Sequence, residues 1–148
     1  MFESINPATG HIIKHYPAMS ADVLAAALEE AGTSVMAWAR VDVDLRASML
    51  ERVATLLEAK RETFARLITQ EVGKPLAEAR VELDKCALLC RYYAKHAPSF
   101  LADQLMESSA KESLFSYQPL GVVLGIMPWN FPFWQVFRFA VPVLTAGN

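Results

Sequence analysis

The chain has 148 residues, 53% of them hydrophobic, and this length is sufficient for one domain but not for a complete two-domain enzyme. Its 14 basic and 16 acidic side chains give a net charge of −2, which excludes a strong positive field for nucleic acid or an anionic membrane. Residues 113–148 carry a single charge, Arg138. We therefore expect this segment to lie in a protein interior, because its four prolines argue against a membrane span.

The first 19 residues are predicted to form a β-hairpin arm. Two strand-like runs, 2–5 and 11–14, flank the turn sequence Asn-Pro-Ala-Thr-Gly, in which Pro7 favours a turn and Gly10 can take a positive φ. The chain start has neither the basic nor the apolar region of a secretory signal. We expect a cytoplasmic protein.

Residues 20–98 are predicted to form helices. Ser20 can cap the first helix, and the second begins near residue 44, with a break near residues 60–62 and a stop at Gly73. The third is expected to run from about Pro75 to a stop at Pro98. The two cysteines, Cys86 and Cys90, lie on its apolar stripe. We therefore expect both thiols to be buried and structural, and we expect them to form no disulfide, no metal site and no catalytic site.

The final third of the chain is predicted to contain one half-buried strand followed by one βα unit. Residues 113–118 alternate between polar and apolar, as in a half-buried strand. Residues 121–127 form a continuous apolar run typical of a buried parallel strand, and a helix is expected from about 132 to 145. Because a βα unit needs a following strand to complete its crossover, we expect the chain to be part of a longer protein.

Asn130 is the candidate catalytic residue. It lies between Pro128 and Pro132 at the carboxyl end of the predicted strand, where open α/β sheets bind ligands. The prolines restrict the backbone, so the amide can be held ready to stabilise an oxyanion. The alternative is an ordinary asparagine that caps the next helix or bonds a turn.

Three motifs in order give the chain a family resemblance. They are Asn-Pro-Ala-Thr-Gly at 6–10, Glu-Val-Gly-Lys-Pro at 71–75 and Pro-Trp-Asn-Phe-Pro at 128–132. Together they resemble the NAD(P)-dependent aldehyde dehydrogenase superfamily over essentially the whole chain. The resemblance implies an α/β fold in which a hairpin and helices (1–98) and an oligomerisation-type strand (113–120) precede the first βα unit (121–148) of a Rossmann-like cofactor domain.

The resemblance also implies residue roles. Asn130 corresponds to the asparagine of the oxyanion hole. The segment that contacts the nicotinamide of NAD or NADP corresponds to Ile126, Met127, Pro128 and Trp129, and the substrate tunnel corresponds to Trp134, Gln135 and Arg138. Members that act on succinate semialdehyde carry arginine at the last position, so the expected substrate is a short ω-carboxylated aldehyde. The alternative is an arginine paired with an acid elsewhere or extended into solvent.

The activity implied by the resemblance is oxidation of an aldehyde to a carboxylic acid. It proceeds through a cysteine thiohemiacetal and thioester, with a nucleophile and a general base outside this chain. Residues 1–148 alone are therefore expected to be inactive, and the full-length protein is expected to be a homo-oligomer, a dimer or tetramer. The alternative is a non-catalytic fragment or assembly module of the same family.

Overall fold

Five helices and two antiparallel strand pairs make up the protein in the computed structural model, which describes residues 1–148. The elements in chain order are β1 (Phe2–Ile5), β2 (Ile12–Tyr16), α1 (Ala21–Trp38), α2 (Val43–Ala59), α3 (Arg61–Val72), α4 (Leu76–Phe100), β3 (Gln104–Leu105), β4 (Leu114–Phe115) and α5 (Trp134–Thr145). None of the helices combines the length and the apolar character that crossing a bilayer would require.

The amino-terminal hairpin forms where the turn sequence predicts it. Strands β1 and β2 pair antiparallel, with Phe2 opposite Tyr16. Between them, the Asn6 carbonyl accepts hydrogen bonds from the amides of Thr9 and Gly10, and Gly10 has a φ of 72°. The glycine therefore supplies the left-handed conformation that closes the turn.

Capping residues set the bounds of the first three helices. The Ser20 hydroxyl accepts a hydrogen bond from the Val23 amide at 3.3 Å, at the start of α1. Before α2, the Asp42 carboxylate accepts a hydrogen bond from the Asp44 amide at 2.8 Å. Lys60 ends α2 and separates it from α3. Gly73 ends α3 with a φ of 75°. Each boundary follows from local chemistry.

The predicted stop at Pro98 is wrong. Helix α4 continues two residues beyond Pro98 to Phe100, and the Leu101 amide bonds the Ala97 carbonyl at 3.1 Å to close it. A proline in the last turn removes one backbone donor but leaves the remaining ladder intact, which is less disruptive than a proline in the middle of a helix.

Helix α4 is the centre of the core, and α2, α3 and α5 pack against it. The buried cluster consists of Leu50, Ala54, Leu57, Ala65, Ile68, Ala79, Leu83, Cys86, Ala87, Cys90 and Val141. Both cysteines are fully buried and free, as the apolar stripe predicts. Helix α1 has no buried residue and lies outside this core.

Residues 121–127 do not form the predicted strand within this chain, and much of the nearly uncharged segment 113–131 is exposed here. The run belongs to no sheet, and the side chains of Leu124 and Ile126 are 82% and 86% exposed. A parallel strand requires a neighbouring strand for its hydrogen bonds, and the chain supplies none here. The strand expected at 113–120 is likewise reduced to β4, which pairs only with β3.

Candidate functional site

Asn130 lies in the turn that leads into α5, and its side chain is exposed. The helix begins only at Trp134, and no side chain from its own turn caps it. The alternative of Asn130 as the helix cap is therefore not what the structure contains. The helix begins two residues after the expected start near 132, although the Phe131 carbonyl already accepts a hydrogen bond from the Gln135 amide at 3.0 Å, so Asn130 lies just before the helix.

Glu82 of α4 caps the beginning of α5 instead. One carboxylate oxygen, Oε1, accepts hydrogen bonds from the amides of Phe133 at 2.9 Å and Trp134 at 3.0 Å. The Glu82 side chain is only 2% exposed. A carboxylate at this end of a helix satisfies free backbone donors and interacts favourably with the helix dipole.

Lys74 supplies the opposite charge for this buried acid. Its Nζ atom donates a hydrogen bond to the other oxygen of Glu82, Oε2, and its side chain is 8% exposed. The same ammonium group lies 3.6 Å from the centre of the Phe131 ring, as a cation–π contact. Lys74 thus contacts both the capping acid and the residue that directly follows Asn130.

Side chains from distant elements also hold the other end of α5. Trp38 Nε1 donates to the Leu144 carbonyl at 3.0 Å, and Arg46 Nε donates to the Thr145 carbonyl at 3.1 Å. A cation near the last carbonyls of a helix complements its dipole. Both ends of α5 are therefore fixed by partners from α1, α2 and α4.

The segment expected to contact the cofactor is extended and open. Ile126 is 86% and Trp129 76% exposed, Pro128 is exposed and Met127 is half-buried. These groups suit a contact with a flat, partly apolar ring such as nicotinamide.

The expected substrate residues lie along the first turns of α5. Trp134 and Phe131 line an open pocket of about 400 Å³ together with Val81 and Lys85 of α4, and Lys85 Nζ lies 3.8 Å from the centre of the Trp134 ring. Gln135 is half-buried.

Arg138 lies one helical turn after Trp134 and is exposed within this chain. No acid of this chain forms an ion pair with it: the ion pairs join Glu3, Glu51, Glu58, Glu62, Glu82 and Asp84 to other cations. The guanidinium is available to an anion from outside the chain.

The two thiols are unsuited to nucleophilic chemistry. Burial raises the pKa of Cys86 to about 12, assisted by the negative charge of Glu82, and burial raises the pKa of Cys90 to about 11. The reactive form of cysteine is the thiolate, which these environments suppress. Their predicted structural role agrees with this.

The sequence motifs do not indicate a role for Glu82, and they mark Lys74 only as part of the segment that ends a helix. One signal was present. Glu82 lies on the α4 stripe between Ala79 and Cys86, at the spacing of the buried face, and an acid at such a position requires a partner. The identity of that partner could not be read from the sequence because it depends on the helix packing.

The chain as a whole matches a known protein family. The model of the aldehyde dehydrogenase family matches residues 1–148. The chain belongs to this family. A probable succinate-semialdehyde dehydrogenase (NADP(+)) from Synechocystis is 45% identical over 98% of this chain and 32% of its own length. A succinate semialdehyde dehydrogenase (NAD(P)+) from Escherichia coli is 43% identical over 98% of this chain and 31% of its own length.

Solved structures of aldehyde dehydrogenases share the fold. Succinic semialdehyde dehydrogenase from Streptococcus pyogenes, in complex with NADP+, superposes with a TM-score of 0.94 at 32% identity, over 100% of this chain and 33% of that one. Betaine aldehyde dehydrogenase from Staphylococcus aureus, in complex with NAD+, gives 0.92 at 26% identity, over 99% and 30%. The predicted fold class is confirmed, and the chain spans about a third of the length of these relatives.

Proposed function

We propose that this chain is the amino-terminal part of an NAD- or NADP-dependent aldehyde dehydrogenase that oxidises succinate semialdehyde or a similar short ω-carboxylated aldehyde. The observation that carries the proposal is the 45% identity to a probable succinate-semialdehyde dehydrogenase across nearly the whole chain. Arg138 forms no ion pair within the chain, so its guanidinium can bind a substrate carboxylate through two parallel hydrogen bonds.

In the proposed reaction Asn130 acts on the aldehyde oxygen. When a cysteine thiolate from the remainder of the enzyme attacks the carbonyl carbon, negative charge develops on that oxygen, and the Asn130 amide donates a hydrogen bond to it. An oxyanion donor of this kind contributes ~10²–10³ to the rate. Its exposed position before α5, free of a capping role, is compatible with this task.

The open segment before Asn130 is proposed to contact the cofactor. Ile126, Met127, Pro128 and Trp129 would pack against the nicotinamide and its ribose, as the family resemblance implies. The bound cofactor supplies a hydride acceptor. The role of this chain is to hold the ring beside the residue that stabilises the aldehyde oxygen, and to exclude water with apolar side chains.

Arg138 and Trp134 are proposed to select the substrate, with Gln135 as a further lining residue. Arg138 would bind the carboxylate at the far end of the aldehyde, while Trp134 would contact the short carbon chain between the two ends. An uncharged aldehyde has no group for the guanidinium. The arginine should therefore affect specificity rather than the chemical step.

The test is a comparison of two substrates in the full-length enzyme. Arg138→Ala is expected to lower kcat/KM for succinate semialdehyde by ~10–100-fold, the value of a hydrogen-bonded charge, and to leave acetaldehyde oxidation nearly unchanged. Arg52→Ala removes an exposed cation of α2 and serves as the matched control. An equal loss with both aldehydes would refute the carboxylate role, and no reduction of cofactor with any aldehyde would refute the enzymatic assignment.

The remaining proposals concern the whole protein. We propose a cytoplasmic homo-oligomer, a dimer or tetramer, in which residues 1–148 are inactive alone because neither thiol can serve as the nucleophile. The alternative is an assembly module without catalysis, which the exposed apolar side chains of residues 120–129 would also suit. A reading frame that continues past residue 148 to a cysteine nucleophile favours the enzyme, and a natural stop codon favours the module.

A further inference from the structure

We infer that the buried Lys74–Glu82 pair positions Asn130, so that these two residues tune the oxyanion hole without touching the substrate. The inference rests on the proposed function. It starts from the placement of the pair: both side chains are nearly inaccessible to solvent, and both contact the short segment between Asn130 and the first turn of α5.

The two oxygens of Glu82 have different partners. Oε2 is occupied by Lys74, which leaves Oε1 free to accept from the amides of Phe133 and Trp134 at 2.9 and 3.0 Å. Without the lysine, the buried carboxylate would lack its countercharge and the hydrogen-bond partner of Oε2, which favours a rearrangement of the side chain. The lysine therefore keeps Glu82 in the position from which Oε1 holds the helix.

Lys74 also holds the segment from a second direction. Its ammonium group lies between the Glu82 carboxylate and the face of the Phe131 ring, 3.6 Å from the ring centre. Phe131 is the residue after Asn130, and Phe133 is the third. Contacts on both sides of Pro132 restrict the segment to which Asn130 belongs.

This restriction matters because an oxyanion donor works only when it is fixed in advance. Asn130 has no cap interaction with α5 to hold it. Its position therefore depends on its backbone neighbours, and these are held by Lys74 and Glu82. A displacement of about 1 Å in such a group is sufficient to lower a rate by ~10²-fold. Both residues are positioning residues in this sense.

The test is a double-mutant cycle in the full-length enzyme with acetaldehyde, so that its outcome does not depend on Arg138. The variant Lys74→Met/Glu82→Leu replaces the ion pair with apolar side chains of similar length, a change that buried ion pairs often tolerate. We expect kcat to fall ~10-fold or more, with KM for NADP+ within about twofold of the parent. In an Asn130→Ala background the same change should alter kcat by less than about twofold.

Two further variants separate positioning from general stability. Lys74→Met/Glu82→Gln restores an oxygen that can accept from the Phe133 and Trp134 amides but leaves the Phe131 ring without its cation, so it should recover part of kcat, not all of it. Arg61→Met/Asp84→Leu removes an exposed ion pair between α3 and α4 that has no contact to α5, and it should leave kcat unchanged. Thermal unfolding of all variants shows whether they are folded.

The inference is overturned if the apolar pair leaves kcat unchanged, or if its effect persists in full when Asn130 is absent. Should that pair fail to fold, Lys74→Met alone carries the test, and an unchanged kcat would overturn the inference. A parent enzyme that oxidises no aldehyde is a separate outcome: it refutes the proposed function, with which this inference also fails.

Discussion

Arg46 makes a testable contribution to the stability of the fold. Its side chain is 8% exposed, and it donates hydrogen bonds to the carbonyls of Thr145, at 3.1 Å, and Val41. The change Arg46→Met keeps most of the apolar stem and removes the guanidinium. Both carbonyls then lose a charged donor, and that of the buried Thr145 lies where water has little access.

The expected loss follows from these two bonds. A hydrogen bond to a charged group contributes ~1.5–3 kcal/mol, and retained packing of the methionine stem offsets part of the loss. We expect the free energy of unfolding to fall by about 3 kcal/mol. The value corresponds to more than a hundredfold change in the ratio of folded to unfolded protein.

The assay is equilibrium unfolding in urea, at one protein concentration and with the slope of the transition compared between variants. A lower midpoint at unchanged slope would report a loss of stability without a change in the denatured state. Arg52→Met, an exposed position on the same helix with no ion pair, is the control and should remain within about 0.5 kcal/mol of the parent. If Arg46→Met also remained within that range, the reasoning from buried hydrogen bonds would be refuted.

Two further predictions concern the thiols and a glycine. At pH 8 the thiolate fraction is on the order of 10⁻⁴ for Cys86 and 10⁻³ for Cys90. Alkylation of these thiols, measured by peptide mass spectrometry, should therefore be at least ~10²-fold slower in native than in urea-unfolded protein and should accelerate as pH rises. Comparable rates in the two states would contradict their burial. Gly73→Ala should cost about 1–2 kcal/mol in urea unfolding, because φ is 75° and the new Cβ would lie 2.9 Å from Pro7 Cγ. Gly32→Ala, in a helix with open space, should instead be neutral or stabilising.

The sequence predicts the helices well because their limits depend on neighbouring residues. The Ser20 hydroxyl accepts a hydrogen bond from the Val23 amide, three positions later, and Gly73 adopts the left-handed conformation that ends α3. Pro98 shows the limit of this reasoning, since its effect depends on how close it lies to the helix end. Local chemistry fixes these features, with errors of a few residues.

The strand at 121–127 and the contacts of α5 could not be predicted in the same way. A run of β-branched residues becomes a strand only when another strand pairs with it, and no residue within the run determines that. Glu82, which is paired with Lys74, accepts a hydrogen bond from the Phe133 amide, 51 positions later in the sequence. The family resemblance indicates Asn130, but only packing reveals the residues that hold its neighbours.

The hydrogen bonds that hold both ends of α5 also have a consequence for the order in which the chain folds. Arg46 of α2 and Glu82 of α4 are synthesised well before Thr145, the residue whose carbonyl accepts the Arg46 hydrogen bond. Until then, these charged groups have no partner in α5. Docking of α5 closes contacts that span 51 to 106 residues. We therefore expect the turn that contains Asn130 to become ordered late in folding, because the contacts that hold it close only after α5 has been synthesised.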